Sequence, residues 1–128
     1  MTNTKSTSLR HAVAITLSGA AALLVGCTSS PLDAKSKGPT FELQSQKSAK
    51  LVASCIAEKW ENLYKVGTLN VRPTANGYAV IQQDQIMGGK DVPFLAEIED
   101  RGTGSSTSYY NNAFSARKID QAVIDCQK

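Results

Sequence analysis

Apolar and polar positions alternate along this chain with three different rhythms. Ala12 to Val25 is almost continuously apolar, broken only by Thr16, Ser18 and Gly19. From Ser45 to Tyr64 the apolar residues return every three or four positions. Leu51, Val52, Cys55, Ile56, Trp60 and Leu63 fall on one face, and Lys50, Glu58, Lys59, Glu61 and Asn62 lie mostly elsewhere. That spacing predicts an amphipathic helix. Ser45 or Ser48 is its candidate cap. Gly67 lies where the chain should leave it, too far from Tyr64 to assign a cap. Trp60 sits on the apolar face and is expected in the core rather than at a binding surface.

The middle of the chain has the two-residue period of strands. "TLNVR" (68–72) and "GYAVIQQD" (77–84) flank the turn "PTANG", whose Asn-Gly favours a tight reversal. "VPFLAEIED" (92–100) sets Phe94, Ala96 and Ile98 against Leu95, Glu97 and Glu99. Pro93 suits the beginning of that strand. "RGTG" (101–104) is a turn, and "SSTSYYN" (105–111) is a fourth strand. The chain then ends on a second helical stripe, Ile119, Ala122, Val123 and Cys126, with Ser115 as its expected cap. Sequential strands with short turns imply an antiparallel meander. The predicted fold is α+β, a two-layer sandwich of order α-β-β-β-β-α. The four-stranded sheet carries both helices on one face. "FELQ" (41–44) is ambiguous and reads as an extended lead-in.

The first 26 residues stand apart. Lys5 and Arg10 give a positive start without an acidic residue, and an apolar stretch follows. This is the layout of a secretory signal peptide. The stretch is about 14 residues, whereas a membrane-spanning helix needs about 20. Its end, Leu24-Val25-Gly26-Cys27, resembles the lipobox of bacterial lipoproteins. The resemblance covers the signal region only, and the folded part shows no family resemblance. It implies cleavage before Cys27, a diacylglycerol on the Cys27 thiol and often an acyl chain such as palmitate on the new amino group. The competing reading is an ordinary secreted protein, cleaved for instance near "GAA" (19–21), with Cys27 left as a thiol. Two or three acyl chains hold a protein durably on a bilayer. Thr28 follows Cys27 where inner-membrane lipoproteins often carry Asp. By resemblance this favours the outer membrane, with the domain facing the periplasm. The implied organisation is a signal peptide (1–26), a lipidated Cys27 with a tether (27–44), and a periplasmic domain (45–128). As a coil, "TSSPLDAKSKGPT" (28–40) would hold the domain some 20 Å from the acyl chains.

Lipidation of Cys27 leaves an even pair, Cys55 and Cys126. In an oxidising periplasm they are expected to form a disulfide. The alternative is two buried thiols. No Cys-x-x-Cys spacing points to redox chemistry. The bond would pin the two helices side by side.

Charge changes the picture by subtraction. Lys5 and Arg10 are two of the fourteen Lys and Arg, and without them the remainder nearly balance the eleven Asp and Glu. No basic patch then argues for nucleic acid. The single histidine, His11, also lies in the signal segment. A mature chain without imidazole has neither a Ser-His-Asp nor a Cys-His arrangement, nor the common zinc ligand sets. No cofactor or metal site is expected. "MGGKD" (87–91) lacks the spacing and the following helix of a phosphate loop. It is expected to be a hairpin loop. Glu97, Glu99 and Asp100 form an acidic cluster, expected to be a solvated strand face. Tyr109 and Tyr110 point to opposite faces, so one is expected in the core and the other exposed. Exposed tyrosine is common at recognition surfaces. This strand and the 85–91 loop are therefore the expected partner contact.

The function these features imply is that of a non-enzymatic binding or accessory protein of the cell envelope, held at a membrane by lipid. One alternative is a small inhibitor, immunity or exclusion lipoprotein of a mobile element. Two others are a cell-wall hydrolase using carboxylates and a small-ligand carrier with an apolar cavity.

Overall fold

The computed structural model describes residues 30–114 and 116–128. The expected signal segment, Cys27 and Thr28 lie outside these residues, as does the expected cap Ser115. The elements are α1 (Pro31–Ala34), β1 (Phe41–Ser45), α2 (Ala49–Leu63), β2 (Thr68–Thr74), β3 (Gly77–Ile86), β4 (Gly89–Asp100), β5 (Ser105–Asn111) and α3 (Arg117–Cys126). The strands form one antiparallel sheet in the order β1-β5-β4-β3-β2.

The meander from β2 to β5 is the expected one. The sheet nevertheless has five strands, not four. "FELQ" and Ser45 pair with β5, from Phe41 opposite Tyr109 to Ser45 opposite Ser105. Without them β5 would present an unpaired edge, which proteins commonly cover. Phe41 and Leu43 turn inward and Glu42 and Gln44 outward, as a strand with one wet face requires.

The two hairpins at the ends of β3 are tight. Thr74 pairs with Gly77, which leaves Ala75-Asn76 as the turn. Ile86 pairs with Gly89, so the 85–91 loop shrinks to Met87-Gly88. Pro93 lies inside β4 rather than at its start. Gln82 faces Phe94 and Asp84 faces Asp91, so two residues of β4 oppose one of β3. A bulge of this kind spares a ladder donor, which proline lacks. It also turns both Val92 and Leu95 to the same face.

One face of the sheet carries α2 with α3 beside it. Ala49, Val52, Ala53, Ile56 and Trp60 of α2 and Ile119, Ala122, Val123 and Cys126 of α3 close over Val80, Phe94, Ala96, Ile98 and Tyr109. Trp60 is wholly buried, as expected, in tilted contact with Phe94 and Tyr109. Leu51 departs from expectation and is 61% exposed. It precedes Val52 by one residue, about 100° around the helix, and so misses the sheet. Ser48 stands at the N-terminus of α2 but makes no side-chain cap. Asp100 does that work, accepting the Ala49 amide at 2.9 Å. A carboxylate there also complements the positive end of the helix.

The other face is not bare. Ala79, Ile81, Val92, Leu95 and Tyr110 form a second, smaller cluster, closed by Ala34 of α1. The supposed tether is therefore partly folded, and the ordered unit begins before Ser45. Pro31 opens α1, and Ser30 and Asp33 cap each other's backbone in a reciprocal box. Among the described residues no helix is long and apolar enough to cross a membrane.

Candidate functional site

Cys55 and Cys126 are bonded, with their Cα atoms 5.7 Å apart. α2 presents Cys55 toward α3 between Val52 and Ile56, and α3 presents Cys126 one turn after Val123. The bond ties residues 71 positions apart. It locks the helix layer together.

The tyrosines do not divide into one buried and one exposed as expected. They point to opposite faces, but neither is exposed. Tyr109 lies under the helices and donates its hydroxyl to Asp120 Oδ1 at 2.8 Å. Burial, then that hydrogen bond, pushes its pKa upward. Tyr110 lies on the opposite face in the small cluster with Ala34. Burial, then the neighbouring Glu97 charge, raises its pKa. α1 covers the side where a solvated tyrosine was expected. The expectation failed because α1 lies far from β5 in sequence and reads as a polar linker.

The acidic cluster is dispersed into three structural roles. Glu97 pairs with Lys35 at 2.8 Å, which joins α1 to β4. Glu99 pairs with Arg101 at 2.8 Å across the turn. Asp100 caps α2. Glu99 and Asp100 border a polar depression of about 400 Å³ beside Arg101 and Asn76, but Glu97 does not reach it. The carboxylates thus do not converge on one cavity. Among the described residues no group of three or more His, Cys, Asp or Glu could hold a metal ion.

The most distinctive surface lies at the other end of the sandwich, where α2 ends and α3 begins. Tyr64 closes α2 and packs edge-on against Phe94. Its hydroxyl donates to Asp84 Oδ2 at 2.5 Å. Burial, then this bond, pushes the Tyr64 pKa to about 12. Gly67, with φ +75°, then turns the chain into β2. Its bare Cα sits against the carbonyl of Gln83, leaving no space for a Cβ. The glycine is needed for this approach, not as a helix cap. A depression of about 630 Å³ opens beside these residues, lined by Leu63, Tyr64, Phe94 and Phe114, with Arg117 and Lys118 at its edge. Its size lies in the range of small-molecule sites. It is open to water, because Phe114 on its rim is fully exposed.

Sequence reasoning missed Lys35, Tyr64 and Asp84. "SSPLD" (29–33) held a signal for α1, since Ser followed three residues later by Asp can form a capping box. No local signal pairs Tyr64 with Asp84, which meet only through the sheet. Compared with known proteins, the chain matches no family model, and neither a curated protein nor a solved structure is significantly similar to it.

Proposed function

We propose that this chain is a bacterial lipoprotein, held at a membrane through acyl chains on Cys27, with its domain in the periplasm. It acts there as a non-enzymatic binding or accessory protein of the envelope. The observation that carries the reading is the bonding of Cys55 to Cys126. A disulfide fits an oxidising compartment. It also leaves Cys27, at the end of the lipobox-like Leu24-Val25-Gly26-Cys27, as the unpaired cysteine of the three. Thr28 favours the outer membrane. Dispersed carboxylates and a mature chain without histidine support a binding role.

Cells expressing the full chain should incorporate labelled palmitate into it, and the protein should partition into detergent. The Cys27→Ser variant should lose the label and accumulate as precursor. Normal labelling of the variant would refute the anchor. For the accessory role, chemical cross-linking in intact envelopes should recover one stoichiometric protein partner. Repeated recovery of the chain alone contradicts that role.

A further inference from the structure

We infer that the end of the domain formed by the β3–β4 turn, the 63–67 segment and Phe114 rests on the surface of an anionic phospholipid bilayer. The inference depends on the proposed anchor at Cys27. Two observations carry it independently of each other.

The first is where the exposed apolar side chains lie. Leu63, Val66, Ile86, Met87 and Phe114 are all exposed, Met87 and Phe114 completely. The topology gathers them at one end. Ile86 and Met87 form the β3–β4 tip. Thr68 pairs with Gln83 and Gln82 donates to the Val66 carbonyl, which puts Val66 at the same end of β3, short of that tip. Leu63 and Phe114 share the 630 Å³ depression. Of the other large apolar side chains exposed among the described residues, Leu32 belongs to α1, and only Leu51 and Val71 lie elsewhere. Lys65, Lys90, Arg117 and Lys118 are exposed around this end. Glu61, Asp84, Asp91 and Asp120 are its nearby carboxylates; Tyr64 holds Asp84, and Tyr109 and Asn111 hold Asp120. Apolar side chains with exposed cations beside them suit a surface of acyl chains and anionic headgroups.

The second observation is where the anchor must emerge. Ala34 packs with Val92, and its carbonyl accepts from Asn112 Nδ2 at 3.2 Å. Ala34 therefore sits over the half of β4 nearer the Met87 turn, while Lys35 reaches Glu97 in the other half. Ser30 is one helical turn away, about 6 Å. Cys27 is three residues further, at most about 11 Å. Acyl chains on Cys27 thus attach within roughly 17 Å of Ala34. The opposite end of β4, at Asp100, is about 26 Å from Val92. So short a link holds the apolar end near the bilayer, and its exposed Lys65, Lys90, Arg117 and Lys118 match anionic headgroups.

The test uses the mature lipidated protein with a nitrobenzoxadiazole fluorophore on Met87→Cys or, at the far end, on Thr103→Cys. Each is reconstituted into phosphatidylethanolamine vesicles with about a quarter phosphatidylglycerol and shallow spin-labelled lipid. Fluorescence at position 87 should fall about twofold, and that at 103 should stay unchanged. Arg117→Glu with Lys118→Glu should abolish the quenching while flotation with the vesicles persists. Both changes lie on exposed positions, so folding is retained. Equal, weak quenching at 87 and 103 in a protein that still floats overturns the surface and leaves the anchor standing. Loss of flotation and palmitate label in the unaltered protein overturns the anchor and the inference together. Shielding of position 87 in native envelopes but not in protein-free vesicles assigns the surface to a protein and overturns the bilayer reading.

Discussion

At the scale of single residues, the two bonded cysteines are unequal. Cys126 is wholly buried and Cys55 only partly. Closing a loop of 71 residues is worth about 4 kcal/mol in the chain-entropy account. Cys55→Ala should lower the unfolding free energy by roughly that amount in urea titrations. The freed Cys126 should react with maleimide only as fast as the domain opens. Cys126→Ala should cost about the same yet leave a Cys55 thiol that reacts at once. Equal rates in the two variants would contradict the burial. The pair was expected because lipidation of Cys27 would leave two cysteines in an oxidising compartment. Their unequal burial was not legible, because it depends on how α3 lies against α2.

At the scale of elements, α1 is a single turn that a short ion pair, one buried methyl and a hydrogen bond from Asn112 hold in place. Such a piece opens more cheaply than the core. Ala34→Glu places a charge against Val92 and Tyr110. It should release α1 at a cost of about 1–2 kcal/mol while the main transition stays cooperative. Amide exchange in residues 31–38 should then become fast, with α2 and β4 still protected. Loss of protection in β4 would show that α1 is integral to the core. The helices α2 and α3 and the meander β2–β5 were legible because their periodicity is local. β1 was not, because four residues of alternation are short and the partner strand lies more than sixty positions away. α1 was missed because its polar composition resembles a spacer.

At the scale of the whole molecule, the groups whose pKa is raised act in one direction. Tyr64, Tyr109 and Tyr110 are raised by burial first, and Lys35 by its hydrogen bond to Glu97. In each case the folded chain keeps a proton that the unfolded chain releases more readily. Their contribution is complete below the unfolded tyrosine value of 10.0 and is lost as pH rises toward about 12, the folded value at Tyr64. The urea midpoint should stay flat from about pH 8 to 9.5 and fall above 10. Tyr64→Phe should weaken that fall. A midpoint that rises with alkali would contradict the sign. The dispersed carboxylates also belong to this scale. Glu97, Glu99 and Asp100 are near neighbours in the chain, yet α1, the 101–104 turn and α2 draw them to three separate partners.

The sequence by itself determined the α+β class, the helices α2 and α3 and the meander β2–β5, since each rests on periodicity over a few positions; it left the cysteine pairing as an expectation. The tertiary structure decided the fifth strand, the covering of Tyr110 and the division of the acidic cluster. It also gathered Leu63, Val66, Ile86, Met87 and Phe114 at one end. Those outcomes depend on contacts between segments far apart in the chain, and no local pattern records which distant segment will cover a surface and which will leave it open.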